Sequence, residues 1–269
     1  MEFGICLQTV IPVRSEPSHK SEMVTQVLFG ELFRILLSEK GWAKVRLSYD
    51  DYAGWIALNQ VQLLSEKEFL HLFNAETAVA LDLVQLISNL TRNTIAPLII
   101  GSSLPGHVKG DFTILNDHYF YDGAVAEISP FDTVSTQQDH LKVKHAIISD
   151  AMFYLNAPYL WGGRTPFGID CSGLVQMVYK IKKIKLLRDA SQQATQGESL
   201  NFVSEAEPGD LAFFDDEEGN ITHVGIMVDK SRIIHASGKV RLDTIDHEGI
   251  FNAEEQRYTH RLRILKRIV

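Results

Sequence analysis

The sequence predicts an α+β chain in which two small all-β barrels precede a larger mixed domain. Short alternating segments run to about residue 64, and a weaker echo of them covers residues 65–138. From residue 139 a helical period is followed by strand-like segments. We therefore expect domains at 1–64, 65–138 and 139–269. The chain has 269 residues with 45% hydrophobic content, enough to bury two or three cores.

The first barrel is predicted from polar/apolar alternation. Gly30, Gly41 and the pair at 50–51 interrupt the alternation at the 8–12-residue spacing of a small barrel. Cys6 lies in an apolar stretch and is expected in the core. With only two cysteines, a disulfide framework is excluded. The predicted strands are 4–7, 24–28, 32–36, 42–47 and 54–57.

The second region opens on a helix signal. Ser65 and Glu68 have the spacing of a capping box, which predicts a short linker helix. Residues 77–90 fit a strand or a helix equally well by period. Beyond them, LIIG, GDFTIL and YFYDGAV follow the order of VLFG, GWAKVRL and YAGWI in the first barrel. We interpret this region as a second, divergent barrel, with an irregular linker as the alternative.

The third region is predicted to begin with a helix from about 139 to 156, with Val143, Ile147, Ala151 and Leu155 on one face. A loop rich in glycine then leads to a second helix, because apolar residues recur with helical period from Leu174 to Ile181. The run KIKKIK at 180–185 is expected to be the solvated end of that helix, with binding to an anionic surface as the alternative.

Cys171 is the residue of this region best suited to react. It falls at the predicted helix N-terminus, where free N–H groups and the positive end of the dipole favour a thiolate. The other interpretation is a small buried hydrophobe. A nucleophilic cysteine needs an imidazole base and a third group to orient it.

Two histidines lie on a predicted hairpin. His223 is in ITHVGIMV and His235 in RIIHAS, and three residues, 229–231, separate these strands. Because side chains alternate along a strand, an odd-length loop places both imidazoles on one face.

The order of the motifs PYLWGG, GIDCSGL, PGDLAFF, HVGI and IHAS closely resembles the NlpC-type cell-wall cysteine peptidases. This resemblance implies a papain-like domain over 139–269, with Cys171 as nucleophile, His223 as general base and His235 as its orienting partner. It also implies that the hydroxyl of Tyr159 points into the active site and that the Cys171 N–H stabilises the oxyanion. Taken alone, Tyr159 could equally be a packing residue.

The first region resembles a bacterial SH3-like barrel in its order VRSEP, VLFGE, GWAKVR and YAGWI. Two such barrels before an NlpC-type domain resemble the cytoplasmic γ-D-glutamyl-L-diamino acid endopeptidases of murein peptide recycling. That resemblance implies a substrate L-Ala-γ-D-Glu-diamino acid, with lysine and diaminopimelate both open at the third position. It also implies that the first barrel closes the site and selects a free N-terminal L-Ala.

Several residues are expected near this substrate by the same resemblance. Tyr52 and Glu22 are candidates to bind the free amine, although an ordinary barrel tyrosine and a surface glutamate are the alternatives. Asp189 and Ser191 could instead cap a helix. The remaining candidates flank the nucleophile and are Asp170 and Ser172.

Composition limits the partners. The net charge is −8 and the basic residues are scattered, which argues against nucleic acid. No segment has the length and apolarity of a signal or a membrane span. If Met1 is the native start, a cytoplasmic protein that does not bind a membrane is expected.

The predicted reaction is covalent acyl transfer without a cofactor or metal. Three alternatives stay open at this point. Cys171, His223 and His235 could ligate zinc, although the spacing of common zinc motifs is absent. The barrels could belong to a wall-binding adaptor with an inert third domain, or the same fold could act as an amidase or acyltransferase.

Overall fold

The computed structural model describes residues 2–126 and 137–269, and in the second range it describes side chains from residue 141. These residues divide into two compact units. The first comprises residues up to 128 together with Trp161–Thr165, and the second comprises 129–160 and 166–269. Among the described residues, no helix combines the length and apolarity needed to cross a bilayer.

The first unit begins with a seven-stranded antiparallel sheet in the order β3-β2-β6-β5-β4-β1-β7. Alternation sets its inner face: Ala43 and Val45 of β5 are buried, whereas Lys44 and Arg46 are exposed. Cys6 is fully buried in this core, as predicted. The strands are β1 (Glu2–Ile5), β2 (Val10–Arg14), β3 (Met23–Leu28), β4 (Leu32–Glu39), β5 (Trp42–Leu47), β6 (Ala53–Ala57) and β7 (Gln62–Leu64).

The linker helix α1 (Glu66–Asn74) follows, and it begins at the predicted capping box. Ser65 Oγ accepts from the Glu68 N–H at 3.3 Å, and Glu68 Oε2 accepts from the Ser65 N–H at 2.7 Å. The segment 77–90, which fits a helix or a strand equally well by period, forms two strands, Thr77–Ala80 and Val84–Asn89.

Seven strands complete the first unit in two small antiparallel sheets, ordered β10-β9-β13-β12 and β11-β8-β14. One apolar cluster joins Phe3 and Phe29 of the first sheet with Phe112 and Tyr119 of the later strands, so both predicted barrels share a core. The strands are β8 (Thr77–Ala80), β9 (Val84–Asn89), β10 (Thr94–Ile99), β11 (Ser103–Pro105), β12 (Asp111–Ile114), β13 (Asp117–Phe120) and β14 (Val125–Ala126).

The second unit packs helices against a seven-stranded sheet ordered β17-β23-β18-β19-β20-β21-β22, and β22 also pairs with β23. Its helices are α2 (Gln137–Met152), α3 (Cys171–Lys180) and α4 (Ala190–Gln193). The short strand β15 (Arg164–Thr165) belongs to the first unit. The strands of the second unit are β16 (Gly168–Ile169), β17 (Glu198–Leu200), β18 (Leu211–Asp215), β19 (Ile221–Met227), β20 (Arg232–Ser237), β21 (Lys239–Ile245), β22 (Gly249–Asn252) and β23 (Arg257–Arg267).

Helix α2 is shorter than predicted at its C-terminal end. Val143, Ile147 and Ala151 are buried as expected, but Leu155 lies beyond the helix and is exposed. The N–H of Leu155 bonds the carbonyl of Met152, three residues back, and Asn156 takes a left-handed φ of 67°. Such a tightened last turn followed by a left-handed residue ends a helix.

The lysine run after α3 is not simply a solvated helix end, which corrects the prediction. Helix α3 ends at Lys180, whose side chain is buried. Lys182 Nζ pairs with Asp150 Oδ2 at 2.6 Å, and this pair is largely shielded from solvent. Of the six residues of the run only Lys185 is exposed, and the others are buried or half-buried.

Candidate active site

Cys171 is the first residue of α3, as predicted, and only 6% of it is exposed. Asp170 occupies the N-cap, where its Oδ1 accepts from the Gly173 N–H at 2.6 Å. The helix therefore begins at Cys171 because its preceding residue satisfies one of the free N–H groups of the first turn.

A buried arginine supports this helix start. Arg188 donates through Nη2 to Asp170 Oδ2 at 2.6 Å and through Nη1 to Asp170 Oδ1 at 3.0 Å and Ser172 Oγ at 2.9 Å. All three side chains are buried. Asp170 and Ser172, both predicted near substrate, are therefore held by one guanidinium beneath the nucleophile.

His223 and His235 lie on one face of the β19–β20 hairpin, as the odd loop predicts. Val228 N–H donates to the Arg232 carbonyl, which leaves residues 229–231 as the loop, and Gly225 is paired with His235. His223 is two residues from Gly225, and its Nε2 lies 2.8 Å from His235 Nδ1. The two predicted imidazoles are brought into direct contact.

Asp243 continues this chain of contacts, and the sequence reasoning missed it. His235 Nε2 lies 2.9 Å from Asp243 Oδ2, and both residues are buried. Burial by itself would raise the pKa of Asp243, but the hydrogen bonds that it accepts from His235 and Arg241 outweigh burial, so its pKa lies below the ordinary value. Because a carboxylate only accepts, His235 Nε2 carries the proton, and His235 Nδ1 accepts from His223 Nε2.

The signal for Asp243 was present in the strand register. His235 is paired with Arg241 on β21, and Asp243 is two residues further along that strand. Residues two apart share a face and make diagonal contacts with the neighbouring strand. Because no strand is predicted from the sequence over residues 239–245, this register, and with it Asp243, is visible only in the structure.

The tautomer assigned to His235 also fixes that of His223. With Nε2 donating to His235, the neutral ring of His223 keeps an unprotonated Nδ1, the form that a general base requires. The backbone of Val224, next to His223, hydrogen-bonds the sulphur of Cys171. The nucleophile and the base are thus held on adjoining elements, α3 and β19.

The protonation of the thiol differs from the sequence prediction. Burial, and then the negative charge of Asp170, raises the pKa of the Cys171 thiol to about 12. Backbone hydrogen bonds from Val224 and Ser172 and the charge of Arg188 oppose this shift but are outweighed. Burial and the neighbouring rings of His235 and His260 lower the pKa of His223 well below its ordinary value. Both shifts favour a neutral thiol and a neutral imidazole in the resting pair.

His260 is a third histidine of the site, and the sequence reasoning did not identify it. Its ring stacks on that of His223, with centroids 4.1 Å apart and planes inclined by 27°. Its Nδ1 lies 2.8 Å from Thr259 Oγ1. Strand β23 supplies His260 from 25 residues beyond His235, and no local motif signals this contact.

Tyr159 lies close to the nucleophile. Burial, followed by the charges of Cys171 and Asp170, raises the pKa of its phenol. Its backbone N–H donates to the Gly238 carbonyl at 3.0 Å. The hydroxyl is therefore a neutral hydrogen-bond donor at the pH of the cell.

Asp189 and Ser191 lie at the short helix α4. Asp189 is the N-cap residue of this helix, and its N–H donates to Gln192 Oε1 at 3.1 Å. This position agrees with the alternative that Asp189 caps a helix. Ser191 is within the helix and exposed.

Tyr52 and Glu22 belong to the first unit. Tyr52 packs against the core of the first sheet. Glu22 Oε1 accepts from the indole Nε1–H of Trp161 at 2.5 Å, within the same unit.

Among the described residues, one group places three potential metal ligands near one another. One ligand atom from each of His223, His235 and His260 lies within 4.8 Å of the others. This set differs from the zinc set considered from the sequence, since His260 takes the place of Cys171.

Two family models match the chain. The model of the NlpC/P60 family matches residues 156–261, which contain Cys171, His223, His235 and His260. The model of the bacterial dipeptidyl-peptidase SH3 domain matches residues 13–61 in the first sheet.

Curated relatives are similar over most of the chain. A γ-D-glutamyl-L-lysine dipeptidyl-peptidase of Bacillus subtilis is 29% identical over 255 residues, covering 87% of this chain and 75% of the relative. Dipeptidyl-peptidase 6 of Lysinibacillus sphaericus is 26% identical over 261 residues, covering 91% of this chain and 92% of the relative.

A solved structure shares the fold. The crystal structure of an NlpC/P60 family protein from Bacillus cereus has a TM-score of 0.79 and 17% identity, and the match covers 99% of both chains. The α+β architecture predicted from the sequence is confirmed.

Proposed function

We propose that this chain hydrolyses the γ-D-glutamyl-L-diamino acid bond of peptidoglycan-derived peptides. The premise is that residues 156–261 match the NlpC/P60 family, which makes the chain a cysteine peptidase. The observation that carries the proposal is the continuous contact from His223 through His235 to Asp243, beside a thiol at a helix start. The name of the Bacillus subtilis relative, a γ-D-glutamyl-L-lysine dipeptidyl-peptidase, supports the choice of bond.

In the proposed reaction, His223 Nδ1 accepts the proton of the Cys171 thiol as the sulphur attacks the γ-carbonyl carbon of D-glutamate. The carbonyl oxygen becomes an oxyanion, and the Cys171 N–H and the Tyr159 hydroxyl donate to it. The imidazolium of His223 then returns its proton to the amine of the diamino acid, the C–N bond breaks, and a thioester remains.

Hydrolysis of the thioester completes the cycle. His223 Nδ1 takes a proton from water as the water oxygen attacks the thioester carbonyl, and the sulphur leaves with that proton. The high pKa of the resting thiol is compatible with this scheme, because proton transfer accompanies attack and a standing thiolate is not needed. Asp243 stabilises the charge that His223 acquires, through His235.

We further propose that the enzyme requires a free N-terminal L-Ala and acts in the cytoplasm on peptides released from the cell wall. A free ammonium needs an anionic or phenolic acceptor. The candidate acceptors remain Glu22 and Tyr52.

The test is mass spectrometry of products from L-Ala-γ-D-Glu-L-Lys and its diaminopimelate counterpart, each with a free or an acetylated N-terminus. We expect L-Ala-γ-D-Glu and the free diamino acid from unblocked peptides only, and no product with Cys171→Ala. Cleavage at any other bond would overturn the assigned reaction. Equal cleavage of acetylated peptides would overturn the amine requirement alone, and cell fractionation tests the location.

A further inference from the structure

We propose that His223, His235 and His260 form an inhibitory binding site for a divalent cation of the zinc class. The three imidazoles come from β19, β20 and β23, and one nitrogen of each lies within 4.8 Å of the others. Imidazole nitrogen is a ligand that Zn²⁺ and its neighbours in the transition series prefer, whereas Mg²⁺ and Ca²⁺ prefer oxygen.

Outer contacts occupy one nitrogen in two of the three rings, so the other nitrogen of each is the candidate ligand. Asp243 accepts from His235 Nε2, which leaves Nδ1 of that ring facing the cluster. Thr259 Oγ1 contacts His260 Nδ1, which leaves Nε2 of His260. Metal-ligating histidines almost always have such a partner on the other nitrogen, because it fixes the tautomer and the ring orientation.

The rings must rearrange to receive an ion, because His260 stacks on His223 with centroids 4.1 Å apart, and the in-plane lone pairs of stacked rings do not converge. Zn–N bonds of about 2.0–2.1 Å in a tetrahedral site place ligand nitrogens ~3.3 Å apart. His223 Nε2 and His235 Nδ1 are 2.8 Å apart with a shared proton, so they would separate slightly, while His260 would approach. Asp243 accepts from His235 Nε2 and so fixes the tautomer that leaves Nδ1 for an ion, although Arg241 also pairs with this carboxylate and offsets its charge.

Binding would stop catalysis through the tautomer of His223. An ion on Nε2 displaces the proton that this nitrogen shares with His235, and the neutral ring then carries its proton on Nδ1. Nδ1 can no longer accept the proton of Cys171. This inhibitory consequence rests on the proposed function, whereas the binding itself does not.

The test is isothermal titration of ZnCl₂ into the intact chain and three variants. We expect one ion per chain, and an unchanged Kd in Cys171→Ser, because the sulphur is not a ligand. In the Cys171→Ser background, His260→Phe should weaken binding by more than the 10–100-fold loss typical of an outer-shell change. The matched control is His118→Phe, since His118 also contacts a carboxylate, Asp111, but is remote from the cluster in sequence and belongs to the first unit.

Three results would overturn the site: no stoichiometric binding, loss of binding in Cys171→Ser, or equal weakening by His118→Phe and His260→Phe. Circular dichroism checks that each variant is folded, and His260→Gln replaces His260→Phe if the latter is not. Zinc binding by a chain that cleaves no peptide would refute the proposed function while supporting the site. Peptide cleavage by a chain that binds no zinc would refute the site while supporting the proposed function.

Discussion

The guanidinium of Arg188 donates two hydrogen bonds, of 2.6 and 3.0 Å, to the carboxylate of Asp170, the residue directly before the nucleophile in sequence. Both side chains are buried, with 1% and 8% of their surface exposed. Asp170 in turn caps the helix on which Cys171 lies. The position of the sulphur therefore depends on a residue 17 positions downstream.

Arg188→Met is expected to destabilise the protein by about 3–5 kcal/mol, because it leaves the Asp170 carboxylate buried without its counter-ion. Urea unfolding at pH 7.5 measures this change. Arg232→Met is the control, since its ion pair with Asp229 is exposed and should contribute about 0–1 kcal/mol. Equal effects of the two substitutions would contradict the structural role of Arg188.

Asp243→Asn is expected to reduce kcat/KM by about 10²-fold with little change in fold. The amide N–H of the asparagine can donate to His235 Nε2 only when that nitrogen is unprotonated, and the ring proton then lies on Nδ1, which removes the acceptor that His223 needs. The loss should be smaller than the ~10⁴-fold loss seen when the carboxylate of a Ser-His-Asp triad is replaced, because Asp243 acts through a second imidazole. Steady-state kinetics measure the change, and Asp229→Asn, in the exposed hairpin loop, should retain full activity.

The thiol of Cys171 is expected to be alkylated faster as the pH rises, without a plateau between pH 6 and 10. Its pKa is raised to about 12, so the thiolate fraction keeps growing over this range. The rate of iodoacetamide modification in a Cys6→Ser background measures this directly. A plateau below pH 7 would instead reveal a thiolate–imidazolium pair.

The same raised pKa predicts a loss of stability in alkali. In the unfolded chain the thiol has a pKa of about 8.5, whereas in the folded chain its pKa is raised to about 12. The folded state therefore keeps its full stability below pH 8.5 and becomes less stable as the pH rises above that value, because the unfolded thiol then loses its proton and the folded thiol does not. Urea midpoints between pH 8 and 10 should therefore fall less for Cys171→Ala than for the unaltered chain. Parallel curves would show that burial of the thiol is not coupled to folding.

Gly225→Ala is expected to destabilise the protein by about 1–3 kcal/mol through overpacking. A Cβ at this position would lie 2.7 Å from Ile233 Cδ1 and 2.9 Å from His235 Cβ, and so it would displace the orienting imidazole. Activity should fall together with stability. Thr222→Ala, an exposed position on the same strand, should change the free energy of unfolding by less than about 0.5 kcal/mol.

The sequence was sufficient for features that depend on local order. Cys171 at a helix start followed from a loop that cannot be helical and an apolar period after it, and the shared face of His223 and His235 followed from an odd loop. Asp243 and His260 were missed because strand register, not sequence proximity, brings them to the hairpin. The shift of the Cys171 pKa was predicted with the wrong sign, because the helix dipole is visible in the sequence but burial is not.

The segment Trp161–Thr165 belongs to the first unit, although the residues before and after it in the sequence belong to the second unit. This limits how the protein can be divided into fragments. Arg164, in this segment, is fully buried within the first unit, where it pairs with Glu31 at 2.9 Å and donates to the Gln26 carbonyl. A fragment ending near residue 128 would keep Glu31 but lose its guanidinium, and an expressed peptidase domain would carry the guanidinium without its acceptors. A single cut in the polypeptide therefore cannot give two fragments that each keep all of the residues of one unit.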